Sequence, residues 1–83
     1  MSHKKVSVYT KPGCSLCEKA VLLIHKVRSG IPFHLEIIDI THSQRLMEDH
    51  GLHVPVVFID GAEVFRYRVN EGKFRALLAS REE

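Results

Sequence analysis

Tyr9-Thr10-Lys11-Pro12-Gly13-Cys14-Ser15-Leu16-Cys17 is the stretch in which a strand pattern hands over to a helical one, and it holds both cysteines of the chain. Upstream of it, apolar and polar residues nearly alternate from Lys5 to Tyr9, with Val6 and Val8 on one face, which is the two-residue period of a strand. Pro12-Gly13 then breaks that strand. Downstream, Leu16, Ala20, Leu23, Ile24 and Val27 recur at helical spacing, Glu18, Lys19, Lys26 and Arg28 fall mostly elsewhere, and Ser29-Gly30 supplies a stop. The spacing predicts a helix from about Cys14 to Arg28. Two thiols three residues apart on a first helical turn can close a small disulfide ring. The leading sulfur then faces the turn's unpaired backbone N–H groups, so the stretch points to thiol-disulfide chemistry.

Outward from this junction the remaining elements read in order. Ile31-Pro32 restarts the chain in an extended form, and Phe33, Leu35 and Ile37 alternate with His34, Glu36 and Ile38 in a second strand that ends before Asp39. Thr41 with Gln44 three residues on fits a capping box, Leu46 and Met47 give a short helix its apolar side, and Gly51 can end it. Val56 to Ile59 is a continuous apolar run, Asp60-Gly61 is a two-residue hairpin signal, and Val64, Phe65, Tyr67 and Val69 mark the returning strand. Asn70 can cap a last helix in which Phe74, Leu77 and Leu78 form the apolar stripe. The order is β-α-β-α-β-β-α. Strand, helix and strand at this spacing favour a right-handed parallel crossover, which the hairpin extends into a mixed sheet with helices on both faces.

Bulk properties narrow the function classes. Eighty-three residues make one small domain, expected to span 1–83, and 45% apolar content without low-complexity sequence favours a folded core. Twelve Lys and Arg against ten Asp and Glu leave a charge of +2, scattered over the helical stretches, so nucleic acid is not an expected partner. The start, Met1-Ser2-His3-Lys4-Lys5, runs into a strand with no apolar leader, and eighteen apolar residues never run together. Export and membrane insertion are therefore not expected, and a cytoplasmic location is. In a cytoplasmic protein a closely spaced cysteine pair is more often catalytic or metal-binding than a structural disulfide.

The Tyr9–Cys17 stretch, the later Val54-Pro55 and the element order together resemble the glutaredoxin-like branch of the thioredoxin superfamily over nearly the whole chain. C-x-x-C alone is a weak motif, but at a strand-to-helix junction and followed about forty residues later by Val-Pro opening an apolar strand it is far more specific. The resemblance implies an α/β thioredoxin fold: a four-stranded mixed sheet flanked by helices, its third strand antiparallel to the others, with a cis peptide between Val54 and Pro55 facing the cysteines. It also implies a monomeric dithiol-disulfide oxidoreductase that needs no bound cofactor and acts on disulfides of proteins or small molecules.

On that resemblance Cys14 is the attacking thiol and Cys17, one turn inside, resolves the mixed disulfide. Lys11 lies three residues before Cys14, where glutaredoxins use a lysine near the thiolate and on a glutathione carboxylate, although a solvated loop lysine is an equal reading. Ser15 stands where dithiol glutaredoxins often have proline, and Leu16 is an apolar contact for the partner or ordinary packing. Val54 and Pro55 are expected to meet an extended substrate through the Val54 backbone. His53 stands where many glutaredoxins have threonine, and a surface histidine is its commoner reading. The remaining histidines, Met47, Phe65 and Tyr67 are assigned to packing or surface.

The family's glutathione-binding Gly-Gly and Asp before the last helix are replaced by Val69-Asn70-Glu71-Gly72-Lys73, and the aromatic-glycine signature of redoxins served by a thioredoxin-reductase type flavoprotein is absent too. The donor, glutathione or such a flavoprotein, stays open. The other class is an iron-sulfur cluster or metal carrier using the same cysteines, thinkable because of Ser15. Zinc finds only two thiols and no matching histidine pair, so no metal site is expected.

Overall fold

A computed structural model describes residues 3–79. Strand β1 (Lys5–Thr10) leads into helix α1 (Ser15–Arg28), strand β2 (His34–Asp39), a 3-10 turn (Ile40–His42), helix α2 (Gln44–His50), the hairpin strands β3 (Val56–Ile59) and β4 (Ala62–Arg66), and helix α3 (Glu71–Ala79). The sheet runs β2-β1-β3-β4. β1 pairs parallel with β2 and antiparallel with β3, which pairs antiparallel with β4, so the expected four-stranded mixed sheet is present.

Side chains alternate across this sheet and sort its two faces. Val6, Val8, Val57 and Ile59 point to the side where α1 brings Ile24 and Val27 and α3 brings Phe74 and Leu78. On the opposite side lie Tyr9, Ile38, Leu46 and Met47, packed against buried Cys17, Ile40 and Val54. Fully burying an aromatic or branched aliphatic side chain is worth about 1.5–3 kcal/mol, so the first face supplies most of the core's driving force.

Local chemistry explains the joints. Asp60 and Gly61 both take positive φ, the backbone of a two-residue hairpin whose twist suits the flanking strands. Asp60 also exchanges hydrogen bonds with Lys5, its N–H donating to the Lys5 carbonyl and its carboxylate accepting from the Lys5 N–H, each at 2.8 Å. That tie fixes the hairpin against the start of β1.

Two expectations are corrected. Thr41 and Gln44 form no capping box: Asp39 caps the 3-10 turn by accepting from the Thr41 N–H and hydroxyl, and the Ser43 hydroxyl oxygen caps α2 by accepting from the Leu46 N–H. A tighter turn ahead of the helix moved the cap two residues along. The returning strand also stops at Arg66, short of Tyr67 and Val69, and within it the pairing passes from Phe65 to Glu63 in a bulge over Val64. Beyond it Tyr67 takes φ +68°, and the Arg68 N–H donates back to the Arg66 carbonyl at 2.7 Å, a tight γ-turn that ends the ladder.

Candidate functional site

The site grows from the loop that leaves the central strand. Gly13, at φ +76°, turns the chain after β1, and Cys14 stops in an extended conformation as the N-cap of α1. Its sulfur accepts a hydrogen bond from the Cys17 N–H at 3.1 Å, taking the place that a serine or aspartate oxygen holds at most helix starts. Cys14 and Cys17 form a disulfide with their Cα atoms 5.2 Å apart. Cys14 is half-buried and Cys17 only 3% exposed, so an incoming group reaches the first sulfur and not the second.

Two regions flank the pair. On one side, the peptide between Val54 and Pro55 is cis, and Val54 packs in the same cluster as Cys17 and Ile40. The Pro55 carbonyl accepts from the Tyr67 N–H at 2.9 Å, while the Tyr67 hydroxyl lies 2.8 Å from His53 Nδ1. His53, Val54, Pro55 and Tyr67 are thereby joined into one unit. No signal in the sequence singled out Tyr67, since an aromatic residue at that spacing reads as one more strand position.

On the other side a groove of about 550 Å³ opens beside Cys14 between α1 and β2. Val21, Leu22 and Ile37 give it apolar walls, and Glu18 and Asp39 stand nearer the cysteines. Leu22 is 70% and Ile37 45% exposed. Sequence reasoning missed this groove; the one available signal was Ile37 and Ile38 side by side in a strand that can bury only alternate residues.

Of the remaining expected residues, Lys11 lines the groove with Cys14, but its ammonium donates to the Gly51 carbonyl at 2.7 Å. That bond sets it apart from a free loop lysine. Ser15 is exposed as the first residue of α1, and Leu16 is half-buried in a smaller depression with Leu23, Arg68 and Val69. The Thr41 hydroxyl and backbone N–H hold the Asp39 carboxyl below the usual range, and Arg66 does the same for Glu63 through a side-chain hydrogen bond. Among the described residues no three His, Cys, Asp or Glu side chains gather as a metal-binding group, and no helix is long and apolar enough to cross a membrane.

Comparisons with known proteins agree with this geometry. The family model described as glutaredoxin-like domain (DUF836) matches residues 5–79. An uncharacterized protein of Mycobacterium tuberculosis is 30% identical over 84 residues, covering 95% of this chain and 87% of its own. A glutaredoxin-like protein of Dictyostelium discoideum is 34% identical over 74 residues, covering 82% of this chain and 68% of its own. Among solved structures, a solution structure from Nitrosomonas europaea superposes with a TM-score of 0.82 at 27% identity and 95% coverage of both chains. A thioredoxin from Halobacterium salinarum does so at 0.65 with 20% identity, covering 93% of this chain and 73% of its own, which speaks to the fold alone.

Proposed function

This chain belongs to the glutaredoxin-like domain family (DUF836), and from that premise we propose that it is a dithiol-disulfide oxidoreductase working through Cys14 and Cys17. The observation that carries the reading is the asymmetry of the pair: one reachable sulfur at a helix N-cap, hydrogen-bonded by a backbone N–H, and one buried sulfur a turn behind it. A thiol at a helix N-terminus has its pKa lowered from about 8.5 to about 3.5–7.5, because the aligned backbone dipoles and free N–H groups favour the anion.

In the reduced protein the Cys14 thiolate attacks one sulfur of a substrate disulfide, forming a Cys14–substrate bond and releasing the other substrate sulfur as a thiolate. Cys17 then gives up its proton and attacks the Cys14 sulfur, closing the ring and releasing the second substrate thiolate. The substrate gains two electrons and leaves as two thiolates that take protons from solvent, and the protein loses two electrons and the one proton given up by Cys17. An external thiol or dithiol donor must reopen the ring. Val54, held by its packing on Cys17 and followed by Pro55, offers its backbone to the extended segment around the substrate cysteine. Lys11 adds a positive charge beside the groove while anchored on Gly51. Cytoplasmic redox maintenance as a monomer is the setting this reading assigns.

The test is turnover of an oxidised substrate with each donor, glutathione or a thioredoxin-reductase type flavoprotein, in wild type and in Cys14→Ser and Cys17→Ser variants. Cys14→Ser is expected to fall to background, and Cys17→Ser to accumulate a trapped mixed disulfide. Unchanged reduction by Cys14→Ser overturns the proposal, and so does a Cys14 thiol that titrates in ultraviolet absorbance like free cysteine.

A further inference from the structure

The outer side of β2 is an open sheet edge, because β2 ends the strand order. Its phase is set by the His34 N–H, which donates to the Lys4 carbonyl. In a parallel ladder both backbone groups of a residue point the same way and the direction alternates along the strand, so His34, Glu36 and Ile38 face β1. Leu35, Ile37 and Asp39 therefore turn their N–H and C=O groups outward. Ile37 and Asp39 also line the groove beside Cys14. The same strip of chain thus offers unpaired backbone groups, an apolar wall with Leu22 and Val21, and continuity with the reactive sulfur.

Natural edges of this kind are shielded by lysines, prolines, bulges or covering elements. The outward positions of β2 are Leu35, Ile37 and Asp39, and the register with β1 is regular along all six pairs. The charge of the lining is net negative as well: Glu18 and Asp39 stand against Lys11, whose ammonium is engaged by the Gly51 carbonyl. Glu18 is in no ion pair among the described residues, and the Asp39 carboxylate, which accepts from Thr41, is paired with His42 at 3.6 Å. We infer that this edge and groove receive an extended segment of a substrate polypeptide by strand addition, with a basic side chain toward the cysteines and an aliphatic one beyond it. The inference rests on the proposed redox reading and deepens it: protein disulfides flanked by such a segment are the preferred substrate class.

The spacing follows from strand geometry. Each residue of an extended chain advances about 3.3 Å and every second side chain faces the same way, so a cation two residues from the substrate cysteine meets Glu18 and Asp39, and an aliphatic residue four away meets Leu22 and Ile37. A second copy of this chain fits less well, because β2 carries no Lys or Arg to offer those carboxylates.

The probes are short disulfide-linked peptides with arginine two and leucine four residues from the cysteine, on either side of it, against counterparts bearing glutamate and serine there. The readout is kcat/KM for each peptide divided by that for a small non-peptide disulfide, which removes any change in the thiolate itself. Wild type is expected to favour an arginine-leucine probe about tenfold, the worth of one charge contact and one aliphatic contact. Leu22→Gln with Ile37→Thr, exposed positions that keep helix and strand propensity, should remove the leucine share of that preference and leave the arginine share. In Cys17→Ser protein trapped as the mixed disulfide with the same probe, the amides of Leu35, Ile37 and Asp39 should gain protection from hydrogen exchange. Equal ratios for the two probes, or protection gained only around Val54, overturn the inference while leaving the redox reading intact. Failure of any probe to form the mixed disulfide sinks the redox reading beneath it. Self-association of the wild type that Ile37→Thr abolishes assigns the edge to a second copy instead.

Discussion

The two faces of the sheet are built unequally. Toward α1 and α3 the buried cluster is deep, with Phe74, Ile24, Val27, Val6, Val8 and Val57 wholly enclosed and Leu23, Leu35, Val64 and Leu77 packed around them. Toward α2 the buried members are Cys17, Ile40 and Val54, and Tyr9, Ile38, Leu46 and Met47 stay half-exposed. α2 itself has no buried residue. The two faces are thereby divided: the deep one holds the fold, and the thin one carries Cys17, the cis-proline segment and the Lys11 anchor. Local opening costs less where fewer apolar contacts must be broken, so α2 and the following loop form the part that can yield to a partner.

The largest effect should break the deep face. Phe74→Ala removes a wholly buried ring that meets both Phe33 and Phe65 edge-on, and is expected to cost about 3–5 kcal/mol in chemical denaturation. A loss below about 1 kcal/mol would show that this face is not the main support. Next comes Gly51→Ala at the joint below α2, where an added Cβ would lie 2.5 Å from the Met47 carbonyl oxygen. Overpacking of that kind costs about 1–3 kcal/mol, and because the Gly51 carbonyl holds Lys11, disulfide turnover should fall along with stability. Preserved turnover in a destabilised variant would separate Lys11 from the site.

Ser43→Ala, which deletes the α2 cap, should cost about 1 kcal/mol. It sharpens the comparison if hydrogen exchange quickens in α2 alone while α1 and α3 stay protected; uniform acceleration would mean the faces open together. The smallest effect is acid sensitivity. Hydrogen bonds from Thr41 lower the Asp39 carboxyl, and Arg75 followed by Lys26 lowers that of Glu71, which joins α3 to α1. A carboxylate depressed in the folded state stabilises above its unfolded pKa, near 4, and loses that contribution as pH falls through the folded value. Stability should therefore be flat from neutral pH to about 5 and decline below about 4, with a smaller decline in Glu71→Gln. An acid limb unaltered by Glu71→Gln would assign it to other groups.

The deep face was legible in the sequence because it is periodic: Ile24 and Val27 repeat at helical spacing, Val6 and Val8 at strand spacing, and Asp60-Gly61 permits one kind of turn. The cysteine pair was legible because its neighbours change period there. What escaped was decided by tertiary contacts. Ser43 rather than Thr41 caps α2, since Asp39 claims Thr41 first. Tyr67 became part of the Pro55 surroundings because a γ-turn at positive φ ends the strand there and turns its N–H to the Pro55 carbonyl. The α1–β2 groove depends on which of Ile37 and Ile38 the register turns outward, and no local preference distinguishes two identical side chains.

The loop bearing Cys14 hangs from a strand clamped by ladders on both flanks and pinned at its far end by Asp60. On the proposed redox reading, opening or closing the ring is expected to stay within one helical turn, because the strand behind it is paired on both sides. On the same reading, a partner that tells the oxidised molecule from the reduced one is expected to do so by touch close to the Cys14 sulfur.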